Sequence, residues 1–271
     1  MIEHLRPGAS AERARVVLFD FDGTISLIRA GWVDVMVPMM VEVLAGLKTG
    51  ESEDSLRAVV EEFVGRLTGK QTVYQMIELA DQVRARGGTP EDPLVYKRRY
   101  LDLLHKKIAH RLEELRSGKC SPDKYLVPGA RRLLETLYAR GLKMYLASGT
   151  DQEYMRDEAD LLDVSRYFDG RVYGALDDYK SFSKKILIQR LIASAEVSGD
   201  QFLGFGDGYV EIENIKEVGG TAVGVATDEP ACLAVSEWKR QRLARVGADF
   251  IIPNFLCHDE LMAALFPNGR G

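Results

Sequence analysis

The chain has 271 residues, 46% of them hydrophobic and 28% charged. That is enough apolar side chain to bury a core and outweigh chain entropy, which excludes an intrinsically disordered protein. Its 36 basic and 41 acidic residues leave a net charge of −5, so no positive excess exists to hold nucleic acid or an anionic membrane. At roughly 150 residues per domain, the length suits one large domain or one with a substantial insertion.

The first residues, MIEHLRPGASAERAR, hold no apolar run of the kind found in a signal peptide. RVVLFDFD, residues 15–22, then reads as a buried strand. The following segment, 28–126, shows no strand run. It holds amphipathic helical stretches instead: SLRAVVEEFVGRL (55–67), TVYQMIELADQVRAR (72–86) and LVYKRRYLDLLHKKIAHRLEEL (94–115). Its most apolar part, Gly31 to Leu47, is interrupted by Asp34, Pro38 and Glu42. It therefore falls short of the roughly 20 continuous apolar residues that a membrane span requires. From Val127 onward, apolar runs alternate with helical patterns. The runs are LKMYLAS (142–148), RVYGAL (171–176), FLGFGD (202–207), TAVGVAT (221–227) and DFIIPN (249–254). Such alternation predicts right-handed βαβ units in a doubly wound parallel sheet. The expected organisation is a discontinuous α/β core, 1–27 with 127–271, interrupted by an all-helical domain, 28–126. Cys120, Cys232 and Cys257 are odd in number and far apart, which excludes a disulfide framework and fits a reducing, cytoplasmic setting.

Four strand-end elements carry chemistry. Asp20 and Asp22 close the first strand, followed by Gly23 and Thr24. In open α/β sheets ligands bind outside the carboxyl ends of the strands, so both carboxylates belong at the expected site. Ser148, Gly149 and Thr150 end a second strand, supplying a hydroxyl and unencumbered amides before a helix, an anion site in kind. Lys184 and Lys185 open a helix, where a cation runs against the helix dipole and a specific role is worth suspecting. Asp207 ends a further strand between Gly206 and Gly208, and Glu211 follows about one helical turn on. Two acids here and two on the first strand would repel one another strongly, and a bound Mg²⁺ would relieve that repulsion. Taken singly each element is ordinary turn or cap chemistry. Together they supply the parts of a phosphoryl-transfer site.

Other patterns fail on spacing. GRLTGKQT has too few residues between its glycines for a P-loop and lies in the helical segment, GFGDG is not GxGxxG, and His105 and His110 are poorly spaced for one metal.

In these four elements the chain resembles the haloacid dehalogenase-like (HAD) hydrolase superfamily. DFDGT matches its first motif, the strand ending at Ser148 its second, Lys184 its third and GDGYVE its fourth. The helical segment resembles that family's inserted helical cap on a Rossmann-like core. Two departures stand out: Glu211 occupies a position more often Asp, and no proline follows the lysine, leaving Lys184, Lys185 and Lys180 as alternatives. The resemblance implies Asp20 as a nucleophile forming an aspartyl-phosphate and Asp22 as acid and base. It implies Mg²⁺ held by Asp20, the Asp22 carbonyl, Asp207 and Glu211. Thr24, Ser148, Gly149 and Lys184 would bind the phosphate. Arg29, Trp32 and Lys70 are candidates to face the substrate, although Trp32 is more readily read as hinge packing and Arg29 and Lys70 as solvated side chains. The expected activity is a phosphatase acting on a small phosphorylated metabolite, such as a sugar phosphate or a phosphoglycolate-like compound, as a monomer or homodimer. A phosphosugar mutase of the β-phosphoglucomutase type and a non-catalytic phospho-ligand binder are the alternatives.

Overall fold

Short runs rich in Val, Ile and Phe, buried on both faces, build the centre of the molecule. The computed structural model describes residues 2–176, 183–193 and 197–268. Among them, β1 (Glu3–His4), β2 (Val16–Phe19), β3 (Lys143–Asp151), β4 (Val172–Ala175), β5 (Phe202–Gly206), β6 (Thr221–Val225) and β7 (Phe250–Ile252) form one sheet. Its spatial order is β1-β7-β6-β5-β2-β3-β4. All pairings are parallel except β1 with β7. The helices are α1 (Val33–Ala45), α2 (Glu53–Leu67), α3 (Thr72–Ala85), α4 (Pro93–Arg116), α5 (Ala130–Ala139), α6 (Gln152–Leu161), α7 (Lys184–Ala193), α8 (Tyr209–Glu217), α9 (Glu237–Arg245) and α10 (His258–Leu265). Among the described residues no helix is long and apolar enough to cross a membrane.

The pleat sorts side chains to the two faces. Val16 and Leu18 of β2 join one buried cluster with Leu187 and Ile188 of α7 and Ile212 and Ile215 of α8. Phe19, pointing the other way, stacks on Phe205 at 4.7 Å between ring centres and meets Phe168 edge-on at 6.1 Å. Phe205 in turn meets Phe255 at 6.0 Å. This is the doubly wound arrangement expected from the alternation. α5 ends just before Gly141, which, at φ +74°, donates its amide to the Tyr138 carbonyl and turns the chain into β3.

The chain divides into two compact units, residues 1–30 with 112–271 and residues 31–111. In the helical unit, α1 packs on α2 and α3, and Met36, Met40, Val60, Phe63, Met76 and Leu79 are buried. The division falls inside the expected limits of 28–126, for a physical reason. Residues 25–27 pair through their backbones with 125–127: Leu27 N donates to Tyr125 O at 2.8 Å and Val127 N to Ile25 O at 2.9 Å. Lys124 and Tyr125 also bond Glu114, and Arg116 pairs with Asp157. These contacts draw 112–126 into the α/β unit.

Three further features differ from the expectation. β1 is a two-residue antiparallel edge, too short to show a pattern, and Arg240 pairs with its Glu3 at 2.6 Å. α10 adds a closing helix. The strand expected over 142–148 continues to Asp151, with a register shift against β4 between Ala147 and Asp151, so Ser148-Gly149-Thr150 is strand rather than loop.

Phe205 stands at the junction of the ring contacts. Phe205→Ala is expected to lower stability by about 3–5 kcal/mol, the usual range for emptying a buried aromatic site, measured from urea unfolding midpoints.

Candidate functional site

Strand order places β2 between β3 and β5. From β2 the chain builds first toward β3 and β4, then crosses to β5, so the carboxyl ends of β2, β3 and β5 meet where the winding reverses. Open α/β sheets bind ligands at that point.

Asp20 follows β2, its amide donating to Phe205 O at 2.9 Å. Thr24 is fully buried and joins two strand ends: its hydroxyl donates to Asp20 Oδ2 (3.2 Å) and accepts from the Asp207 amide (2.9 Å). The hydroxyl expected to bind phosphate is thus occupied in fastening the β2 and β5 ends together. Gly23, at φ +74°, lies under Asp207; a Cβ there would come within 2.3 Å of Asp207 Oδ2. The turn after Asp22 therefore requires glycine.

Ser183 Oγ accepts from the Ile186 amide at 3.1 Å, capping α7 and setting Lys184 on its first turn. Lys184 Nζ lies 2.6 Å from Asp20 Oδ1 and also pairs with Glu211 Oε1. Burial works against this ammonium, but the carboxylates of Asp20 and Glu211 overcome it and hold its pKa above the ordinary lysine value. Burial also pushes the Asp20 carboxyl well above the usual range. Lys184 opposes that rise, while Glu211 and Asp207 add to it. The neighbouring Lys185 is exposed and pairs with Glu217 at 2.7 Å; Lys180 lies outside the described residues.

Asp22 has different surroundings. Its Oδ2 accepts from Ser148 Oγ at 3.0 Å and Thr150 Oγ1 at 2.8 Å, and Ser148 Oγ accepts from the Thr150 amide at 2.9 Å. Half-buried Gly149 lies between these two residues on β3. Asp22 Oδ1 is buried without a hydrogen-bond partner among the described residues, with Arg29 Nε 3.9 Å away. Arg29 departs from the expectation that it faces substrate. It is 5% exposed, and Glu158 Oε1 accepts from its Nη2 at 2.7 Å and from its Nε at 3.0 Å. Burial pushes the Glu158 carboxyl up to about 6 despite that partner, so desolvation outweighs the attraction within the pair.

Asp207 and the residue facing it complete the cluster. Lys239 Nζ, from α9, lies 2.9 Å from Asp207 Oδ2 and 2.7 Å from Glu229 Oε1. Burial raises the pKa of Glu229, with Lys239 opposing the rise. Neither Lys239 nor Glu229 carries a sequence signal beyond lying after β6, one in a loop and one in a basic helix. Of the remaining candidates, Trp32 precedes α1 and is half-buried. Lys70 is an exposed residue of the helical unit, its Nζ 5.9 Å from the Tyr74 ring centre.

The donor set suits a hard divalent cation. Asp20, Asp207 and Glu211 offer carboxylate oxygens, and Glu211 Oε2 is buried with no hydrogen-bond partner among the described residues. Among the described residues, no three His, Cys, Asp or Glu side chains already surround a metal position. The two lysine ammoniums share these oxygens instead. Mg²⁺ is compatible with such a site, since it takes one or two carboxylates and keeps several waters.

A doubly wound α/β core with carboxylates, hydroxyls and a buried lysine at its switch point defines the class of protein. The chain belongs to the haloacid dehalogenase-like hydrolase family, whose sequence model matches residues 14–219. Among solved structures, it is similar to a "predicted phosphoglycolate phosphatase" of Haemophilus somnus 129PT. Identity is 14% and the TM-score 0.59, over 92% of this chain and 98% of that one. A "predicted phosphatase" of Clostridium acetobutylicum is 18% identical at TM-score 0.57, over 92% and 96% of the two chains. A HAD family hydrolase of Deinococcus radiodurans, solved with bound phosphate and sodium, is 15% identical at TM-score 0.52, over 93% and 95%. No curated protein matches the sequence.

Lys184→Met would leave Asp20 and Glu211 buried without their cation. The expected loss is about 3–5 kcal/mol, the range for breaking a buried pair on one side. Chemical denaturation at neutral pH measures it, and adding Glu211→Gln should recover part of the loss.

Proposed function

We propose that this hydrolase is a Mg²⁺-dependent phosphatase that cleaves a small phosphorylated metabolite through an aspartyl-phosphate on Asp20. One observation carries the reading. Two aspartates a single residue apart stand in unlike environments, Asp20 against Lys184 at 2.6 Å and Asp22 against the hydroxyls of Ser148 and Thr150 at 3.0 and 2.8 Å. Paired carboxylates with different surroundings are suited to different roles. A phosphate ester also needs the second one, because its leaving oxygen must be protonated whereas a halide needs no proton.

In the first step Asp20 attacks phosphorus while the ester P–O bond breaks and Asp22 gives its proton to the departing oxygen. In the second, Asp22 takes a proton from water, which attacks the aspartyl-phosphate and releases phosphate and free Asp20. Lys184, Ser148 and the Gly149 amide would hold the phosphoryl oxygens. Mg²⁺ would be held by Asp20, the Asp22 carbonyl and Asp207, with Glu211 in support, and would neutralise charge on the phosphoryl group. Charge and positioning are assigned most of the work, because general acid–base help typically contributes only about 10²–10⁴. The phosphatases named among the similar structures, and the phosphate in one of them, support this substrate class. The helical unit is assigned the choice of metabolite, with Lys70 and Trp32 as the residues to vary first.

Phosphate release from a panel of phosphorylated metabolites, with and without Mg²⁺, tests the reading. The wild-type chain should release phosphate only with the metal, and Asp20→Asn should fold yet show no turnover above background. Wild-type-like activity in Asp20→Asn would end the assignment. Conversion of a sugar phosphate to its isomer without phosphate release would make the protein a mutase.

A further inference from the structure

We infer that Arg29, gripped by Glu158, is a positioning residue that sets the proton-carrying oxygen of Asp22; this rests on the reading of Asp22 as the general acid.

Arg29 and Glu158 are 129 positions apart in sequence and both are buried. Glu158 holds the guanidinium by two of its nitrogens, Nε and Nη2. Tyr154, one helical turn earlier on α6, places its ring 5.7 Å from the guanidinium carbon. A slot is thus built for this side chain at a fixed angle. Stability is a poor reason for it, since a buried ion pair can often be replaced by apolar residues without loss. Burial raises the pKa of Glu158 against the pull of Arg29.

The slot aims the guanidinium edge at Asp22, with Nε 3.9 Å from Oδ1. That distance is too long for a hydrogen bond and short enough for charge attraction. The two oxygens of Asp22 are thereby made unequal. Oδ2 is held by the hydroxyls of Ser148 and Thr150, whereas Oδ1 is buried and accepts no hydrogen bond among the described residues. The geometry assigns the proton to Oδ1. As the ester bond breaks, the Oδ1 proton passes to the leaving oxygen and the new carboxylate is stabilised by the adjacent guanidinium. The attacking water returns a proton to Oδ1 in the second step. Thr150 holds the carboxyl plane throughout, and Arg29 supplies a fixed charge without taking the proton.

A structural role and this role separate in leaving-group dependence. A series of substituted phenyl phosphates, from p-nitrophenyl to p-methoxyphenyl, keeps shape nearly constant while the need for a proton grows. For Arg29→Met, kcat/KM is expected to fall about 100-fold on the poorest leaving group and less than about tenfold on p-nitrophenyl phosphate, within the range of general acid catalysis. Glu158→Gln, which keeps the shape of the slot, should steepen the dependence in the same direction by a smaller amount, and Arg29→Lys should restore part of it. Thermal melts identify any variant that fails to fold; if Arg29→Met does, Glu158→Gln decides the matter. Equal losses across the series in the folded variants would overturn the inference. Asp22→Asn separates the two levels. If it steepens the dependence and the Arg29 and Glu158 variants do not, only this inference fails. If it leaves the dependence unchanged, Asp22 is not the acid and the reading beneath it fails as well.

Discussion

Asp20, Asp207, Glu211 and Glu229 repel one another at the carboxyl ends of neighbouring strands, in a part of the molecule that water screens poorly. Two ammonium groups make that assembly possible. Lys184 bridges Asp20 and Glu211, and Lys239 bridges Asp207 and Glu229. Each lysine comes from a helix that follows a different strand, so the sheet and both helices must be in place before the charges balance. Much of the α/β unit follows from that demand. Ser183 caps α7 to bring Lys184 inward, Gly23 leaves room for Asp207, and Thr24 ties two strand ends with one hydroxyl.

Asp22 sits outside this balance although only Phe21 separates it from Asp20. Hydroxyls surround one oxygen and a guanidinium faces the other. One short segment therefore carries a carboxylate among ammoniums and carboxylates and another among neutral donors and a facing guanidinium. Environments that diverge over two residues are what the proposed nucleophile and acid would require.

The α/β unit closes across the insertion by its own backbone: residues 25–27, after β2, pair with 125–127. The helices of 31–111 have their own buried set.

Local pattern was enough for much of this. Apolar runs marked six strands, helical spacing marked the helices between them, and Asp20, Asp22, Ser148, Lys184, Asp207 and Glu211 were visible because each stands at a strand end or helix start. β1 was not visible, because two residues make no period. Lys239 and Glu229 were not visible either, since a lysine in a basic helix and a glutamate in a loop look like solvated surface until a fold brings Asp207 to them. Arg29 shows the limit most clearly. By sequence it was a cation near the first motif, open to a substrate, and only the packing of α6 showed that Glu158 encloses it. Periodicity and residue type act along the chain and are legible there. Which charges neutralise one another depends on distances through space between residues as far apart as 129 positions, and those distances exist only once the sheet has formed.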